Sequence, residues 1–379
     1  MLSPSDKISA YELIAPLGRG GMAQLYLARR RGEGGFSRLV TLKFVHEHLS
    51  SNEDIVRLFL QEARLSSHIT HPNVVRVEDV GRCGDSYFIA MEYVHGVSLA
   101  ELLSCVRHMR VQLDPALYVW VSAQIAEALH AAHEARGENG APLGIVHHDV
   151  SPENVLVSDT GHIKLIDFGI ARCRAESEAD KDAVRGKVRY MAPEQLLKDP
   201  ADRRADVYAL GVMLWEMLTG RILLRCRTLE DPRDWATRTH PPAPSRYNPS
   251  VCRALDDAVQ KALAYMPAER HGDALQFRAA LLDADLEATR LDAPRVAQLV
   301  APVLERAFAR QRKRGPVDHA HPTTQASMQK LAARGPRAHQ PTRALEGLAL
   351  NHSCEQPAYA GATLGWPYPT GAPRQTGWR

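Results

Sequence analysis

The chain has 379 residues, 45% of them apolar and 24% charged, and a formal net charge of +3. That composition supports a sizeable hydrophobic core and excludes disorder of the whole chain, while so small a net charge gives no global pull toward nucleic acid or an anionic membrane. Six cysteines, at 83, 105, 173, 226, 252 and 354, form no Cys-x-x-Cys pair and are too sparse for a disulfide framework, so a reducing, cytoplasmic compartment is expected.

The opening MLSPSDKISAYEL lacks the basic start and apolar centre of a secretion signal. Up to about residue 92 the pattern is strand-like, with short runs of β-branched and aromatic residues broken by glycine, and one helical segment at 53–68. After Gly96 the signal turns helical, as at 114–135, where Asp114 is a candidate N-cap and Pro115 a first-turn residue. The most apolar run, 207–215, stops at Glu216. It falls well short of the ~20 residues that span a bilayer and reads as a buried core helix, so no transmembrane segment is expected.

Two amphipathic stretches follow Gly272, and the second sets Val296, Leu299, Val300, Val303, Leu304 and Phe308 on one helical face that is expected to pack on the helical region. From 315 to 379 the chain is rich in Pro, Gly, Ala, Gln, Thr and basic residues without periodicity, which predicts a disordered tail. There is no internal repeat.

Against this background several groups carry chemistry. Leu17, Gly18, Arg19, Gly20, Gly21, Met22, Ala23, Gln24 and Leu25 lie between two strand-like segments, where a glycine-rich hairpin can lay backbone N–H groups over phosphates that a side chain would block. Taken alone, a Gly-rich turn between strands is often only a turn. Lys43 sits inside the apolar run Leu39-Val-Thr-Leu-Lys-Phe-Val45, where an ammonium needs an anion to offset desolvation unless it points to solvent. Glu62, on the helical segment, is a candidate partner, with surface pairing along its own helix as the plainer alternative. Farther on, Val146-His-His-Asp-Val-Ser-Pro-Glu-Asn-Val-Leu-Val157 and Ile163-Lys-Leu-Ile-Asp-Phe-Gly169 set acidic and amide groups on short loops against apolar strands. They offer two oxygen ligands for magnesium and one free base.

These motifs, in this order, resemble the eukaryotic-like serine/threonine protein kinases of bacteria over roughly residues 8–285. The resemblance implies an α+β, two-lobed kinase fold: a small β-rich lobe at about 8–92, a larger α-helical lobe at about 96–285 and an ATP cleft between them. Residues 286–314 would then be an accessory amphipathic helical extension. Function would be transfer of the γ-phosphoryl group of Mg-ATP to serine or threonine hydroxyls of protein substrates, with autophosphorylation, and with no nucleic-acid partner.

Carried over by position, the resemblance makes Leu17 to Leu25 the phosphate-covering loop and Lys43 the phosphate clamp held by Glu62. Asp149 would take the acceptor proton, Asn154 and Asp167 would hold Mg2+, and the backbone of Glu92 and Val94 in Met91-Glu-Tyr-Val94 would bind adenine. Ala192-Pro-Glu194, Asp206 and Arg270 are expected to be scaffold, because buried charges persist when paired.

The departures are informative. Ala23 replaces the third loop glycine and Leu25 the following valine, changes that should spare nucleotide binding. His148 stands where most kinases place an arginine that meets a phosphorylated activation segment. That segment, 167–194, holds no threonine and a single serine, Ser177, so activity is expected not to depend on its phosphorylation. Ser151 stands at the family's usual lysine and Lys187 at its usual threonine. An exchange of ammonium and hydroxyl would put the Lys187 charge beside the transferred phosphoryl group, against the alternative of a solvent-facing lysine. The loss of lysine at Ser151 also leaves a tyrosine acceptor open.

Two other classes compete. A pseudokinase would lack one of Lys43, Asp149, Asn154 or Asp167, and all four are present. A metal hydrolase would use His130, His133, His147 and His148, but no His-Glu-x-x-His arrangement occurs. The scattered basic residues of the tail lack an aromatic stacking pattern, and Cys173 is read as an inert thiol rather than a reactive one.

Overall fold

The computed structural model describes residues 7–8, 10–168, 188–223 and 241–314. The expectations for Cys173, Ser177, Lys187 and the 315–379 tail fall outside these residues.

The N-terminal part is a six-stranded antiparallel sheet in the order β1-β2-β3-β4-β6-β5. Its strands are β1 (Lys7–Ile8), β2 (Tyr11–Arg19), β3 (Ala23–Arg31), β4 (Ser37–Val45), β5 (Val77–Cys83) and β6 (Ser86–Glu92). Strand alternation places successive side chains on opposite faces, and β4 shows what that does. Val40, Leu42 and Phe44 join Tyr11, Tyr26 and Phe88 in one core. Val45 faces the other way, into a cluster with Ala23, Ile89, Phe59 and Ala63. Lys43 shares the parity of Val45, so it faces the helix that supplies Phe59 and Ala63.

That helix is α1 (Glu53–Ser67), started by Asn52, whose side-chain oxygen accepts the N–H groups of Asp54 and Ile55. Its inward face carries Leu58, Phe59, Glu62 and Ala63. A carboxylate on a face otherwise free of charge, with Ser66 its only other buried polar residue, is the exception that positions the site.

The C-terminal part is helical: α2 (Leu99–Met109), α3 (Pro115–His133), α4 (Pro193–Leu197), α5 (Arg204–Thr219), α6 (Arg253–Ala262), α7 (Ala274–Ala284) and α8 (Ala293–Arg314). Asp114 caps α3 by accepting the Ala116 N–H, with Pro115 in the first turn. Helices α3 and α5 are buried on nearly every side, and the whole 207–215 run lies in the core, as its composition predicts. No helix among the described residues is long and apolar enough to cross a membrane.

A second sheet of three short antiparallel strands, β7 (Gly96–Ser98), β8 (Val155–Ser158) and β9 (Ile163–Leu165), lies beside the helices in the order β7-β8-β9. Leu165 couples it to the N-terminal part, donating its N–H to the Asn73 carbonyl at 2.7 Å and accepting the Val75 N–H at 2.9 Å.

Helix α8 packs on the helical part through Val296, Val300, Val303, Leu304 and Ala307. Leu299 corrects the expected face: it is 38% exposed, because the buried stripe is narrower than the apolar arc and ends one flank short of it. Phe308 stacks on His95 with ring centroids 5.0 Å apart, just past the end of β6. The start of α8 presses so close to the β8–β9 turn that a Cβ on Gly161, at φ +84°, would lie 1.8 Å from the Ala293 carbonyl.

Candidate active site

The site forms where β4, α1, the glycine-rich turn and the loops flanking β8 and β9 converge. Lys43 Nζ donates to Glu62 Oε1 and to Asp167 Oδ1, both at 2.8 Å. The Lys43 and Glu62 side chains are each only 12% exposed. Burial alone would favour the neutral amine, but the carboxylates of Asp167 and Glu62 outweigh it and hold the ammonium above its usual range. One cation thus joins the sheet, α1 and the segment after β9.

Asp167 takes φ +55° and His148 takes φ +62°, a region that non-glycine residues avoid. The strain is tolerated because neighbours determine both positions. The Phe168 ring is 2% exposed and lies 4.7 Å from the His147 ring, between centroids. The His148 N–H donates to Asp206 Oδ1 and its carbonyl accepts from Gln195 Nε2.

Asp206, 1% exposed, is the hub beneath the catalytic-type loop. Oδ2 accepts from His133 Nε2 and from the His147 N–H, and Oδ1 from the His148 N–H, all at 2.8 Å. Burial pushes its carboxyl up, yet these donors hold it below the usual carboxylate range. The histidines that raised the hydrolase alternative therefore serve as struts: three of the four, His133, His147 and His148, converge on one aspartate. Among the described residues no group of three or more His, Cys, Asp or Glu is placed to hold a metal by itself.

Asp149 is positioned from both sides. Its N–H donates to His147 Nδ1 at 3.2 Å, and Asn154 Nδ2 donates to both its carbonyl and its Oδ2 at 2.8 Å. His147 Nε2 faces the Ile166 carbonyl at 3.1 Å, so the ring must donate there while its Nδ1 accepts. That requires the neutral ring protonated on Nε2, and complete burial, which lowers the His147 pKa against the pull of Asp206 and Asp149, favours the neutral form.

The cleft between these parts is lined by Gly20, Gly21 and Met22 from the turn and Ala23 and Leu25 at the start of β3, with Lys43, Glu62, Asp149, Asp167 and Phe168 opposite. An added Cβ would meet nothing within 4 Å at Gly18 and only the Ala23 carbonyl, at 3.7 Å, at Gly20. These glycines leave room above the backbone. Leu17, Arg19 and Gln24 belong to the flanking strands and do not line this cleft. Glu92 and Val94 stand farther along the connection between the two parts. The Glu92 N–H already donates to the Arg76 carbonyl at 3.0 Å, and its carboxylate is held by Lys164. The Val94 N–H has no backbone partner among the described residues.

Elsewhere, Arg270 grips Glu194 through two hydrogen bonds of 2.6 and 2.7 Å, in full burial, an arrangement whose rupture costs about 3–5 kcal/mol. Ser151 is buried, and its hydroxyl has no hydrogen-bond partner among the described residues. Sequence reasoning missed three contributors: Gln195 beneath His148, Lys164 on Glu92, and His46, whose Nε2 lies 2.7 Å from the Gly20 carbonyl.

A two-lobed fold with this set of ionic and amide groups across its cleft defines the class. The chain belongs to the protein kinase domain family, which matches residues 11–279. It is similar to the tyrosine-protein kinase MasK of Myxococcus xanthus, 36% identical over 72% of this chain and 42% of that protein. It is also similar to the serine/threonine-protein kinase PrkC of Bacillus subtilis, 32% identical over 75% of this chain and 42% of that one. Among solved structures, the kinase domain of PknI from M. tuberculosis shows 26% identity and a TM-score of 0.58, covering 77% of this chain and all of that one. The chain thus spans less than half the length of these two curated relatives.

The buried and half-buried histidines set an acid limit on stability. Burial lowers the pKa of His46, His71, His147 and His271 in the folded protein. The unfolded chain then binds protons first as pH falls below about 6.5, so their contribution is complete above that pH and is lost toward the lower folded values. Glu216, whose carboxyl burial pushes up, acts in the opposite sense from about pH 4.5, one group against four. Thermal melts between about pH 7.5 and pH 5.5 should show a falling Tm; a flat or rising Tm contradicts the assignment of neutral buried rings.

Proposed function

We propose that this chain transfers the γ-phosphoryl group of ATP, bound as its Mg2+ complex, to serine or threonine hydroxyls of protein substrates. The observation that carries the reading is the pairing of two preorganised units across one cleft: Lys43 held by Glu62 and Asp167, and Asp149 held by Asn154. The protein kinase family uses ATP and a divalent cation, and the fit of the groups present supports both.

The glycine-rich turn would cover the phosphates, and Lys43 would bind them while Glu62 keeps its ammonium in place. Asn154 commits its amide nitrogen to Asp149, which leaves its oxygen as the atom to offer a cation. That oxygen and the Asp167 carboxylate are hard ligands suited to Mg2+, which usually completes its shell with phosphate and water. When bound, the cation neutralises charge on the phosphate oxygens. Asp149 would orient the acceptor hydroxyl and take its proton as the new P–O bond forms and the bond to the leaving ADP breaks. At the hinge, with the Glu92 N–H already engaged, adenine contact at that residue falls to the carbonyl, and at Val94 to the N–H.

Phosphoryl transfer from Mg-ATP by the purified protein, with modified residues mapped by mass spectrometry, tests this reading. Asp149→Asn should lower turnover by roughly 100- to 10,000-fold, with phosphate on serine or threonine in the wild type. Phosphate confined to tyrosine would transfer the acceptor assignment to the class named for the Myxococcus relative. Equal silence of both proteins, with ATP still bound, would favour a pseudokinase.

We further propose that Lys187 supplies positive charge near the transferred group, in exchange for the lysine that Ser151 replaces, and that no phosphate on Ser177 is needed. The buried Ser151 hydroxyl, unpaired among the described residues, supports the exchange by leaving one polar group to be satisfied. In the same assay Lys187→Ala should lose on the order of 10- to 100-fold in kcat and Ser177→Ala nothing. Wild-type turnover in Lys187→Ala ends the exchange idea, and a large loss in Ser177→Ala ends the other.

A further inference from the structure

His46 follows β4, three residues past Lys43, and is 7% exposed. Its backbone is fixed on both sides. The N–H donates to the Met22 carbonyl at 3.0 Å, while the carbonyl accepts from the Leu49 N–H at 2.9 Å and the Ser50 hydroxyl at 3.1 Å. Ser50 Oγ in turn lies 3.1 Å from Ser86 Oγ on β6. Held this way, the ring reaches the glycine-rich turn, with Nε2 2.7 Å from the Gly20 carbonyl oxygen. A carbonyl only accepts, so the imidazole donates.

The bond falls on the least restrained peptide of the turn. Gly20 and Gly21 flank it, and neither has a Cβ to restrict rotation. A planar trans peptide points its N–H opposite to its C=O, so anchoring the Gly20 oxygen at His46 directs the Gly21 N–H away from that ring. The Gly21 N–H has no backbone partner among the described residues, and Gly21 lines the cleft. Were this peptide to flip, a carbonyl oxygen would replace the N–H, and a phosphate would meet a repelling dipole.

We propose that His46 is a positioning residue for nucleotide phosphate: by donating from Nε2 to the Gly20 carbonyl, it sets the Gly20–Gly21 peptide so that the Gly21 N–H is presented to the phosphates of ATP. The inference rests on the kinase reading of the cleft. It adds a residue outside the glycine-rich, lysine and aspartate motifs.

Titration calorimetry with ATP and, separately, with adenosine on wild type, His46→Ala and His46→Gln tests it, with thermal melts to establish that each protein is folded. Adenosine carries no phosphate and serves as the internal control. His46→Ala should weaken ATP binding by roughly 3- to 10-fold, the worth of one hydrogen bond, and leave adenosine affinity within about twofold. His46→Gln, which keeps an N–H donor on a side chain of similar reach, should recover most of the ATP affinity. Unchanged ATP affinity in a folded His46→Ala protein, or equal losses for ATP and adenosine, would overturn the proposal while leaving the kinase reading intact. A wild type that binds neither ligand would overturn that reading and the inference with it.

Discussion

The structure depends on one cation that lines its cleft, Lys43. Lys43 lies on the sheet face that α1 covers, and both of its bonded partners are carboxylates from distant parts of the chain, Glu62 on α1 and Asp167 after β9. An ammonium in that place without them would be driven to lose its proton. Glu62 left without the ammonium would carry an uncompensated, largely buried charge, a defect worth about 3–5 kcal/mol. The three groups therefore fix one another. Pairing of opposite charges sets the placement of α1 against the sheet and of Asp167 against both.

A second network does the same for the other side of the cleft. Asp206, at the start of α5, accepts from His133 on α3 and from the amides of His147 and His148. The neutral His147 ring passes the constraint on to Asp149 and Ile166. Packing alone could not do this, because apolar contacts do not specify backbone direction. The hydrogen bonds hold His148 at positive φ, which turns the loop and presents Asp149. The energetic logic of the site is thus two charges, Lys43 and Asp206, each partnered and each ordering a separate set of side chains around the cleft.

Much of this was legible in the residues. The β-rich and helical halves followed from a change of period near residue 96, and the core helix at 207–215 from its uninterrupted apolar run. Lys43 announced itself as a charge inside an apolar strand. What stayed hidden depends on contacts distant in sequence. His46 lies 26 residues from Gly20, and nothing in the local sequence signals that strand pairing brings them together. Lys164 and Glu92 are 72 residues apart. Leu299 was placed by helical period alone, which gives the direction of a stripe but not its width. Asp206 was marked as scaffold from resemblance, yet its use of His133 and of two successive amides required the fold.

The central claim is that the Lys43 ammonium links nucleotide phosphates to the catalytic architecture. The direct test is steady-state phosphoryl transfer by Lys43→Met, with melts and circular dichroism confirming a folded protein. Methionine keeps much of the apolar stem and removes the ammonium, with its charge and its two hydrogen bonds. The account predicts a loss of at least about 100-fold in kcat/KM with the fold retained. Turnover within a few-fold of wild type would contradict it, and would place the phosphate-binding charge elsewhere in the chain.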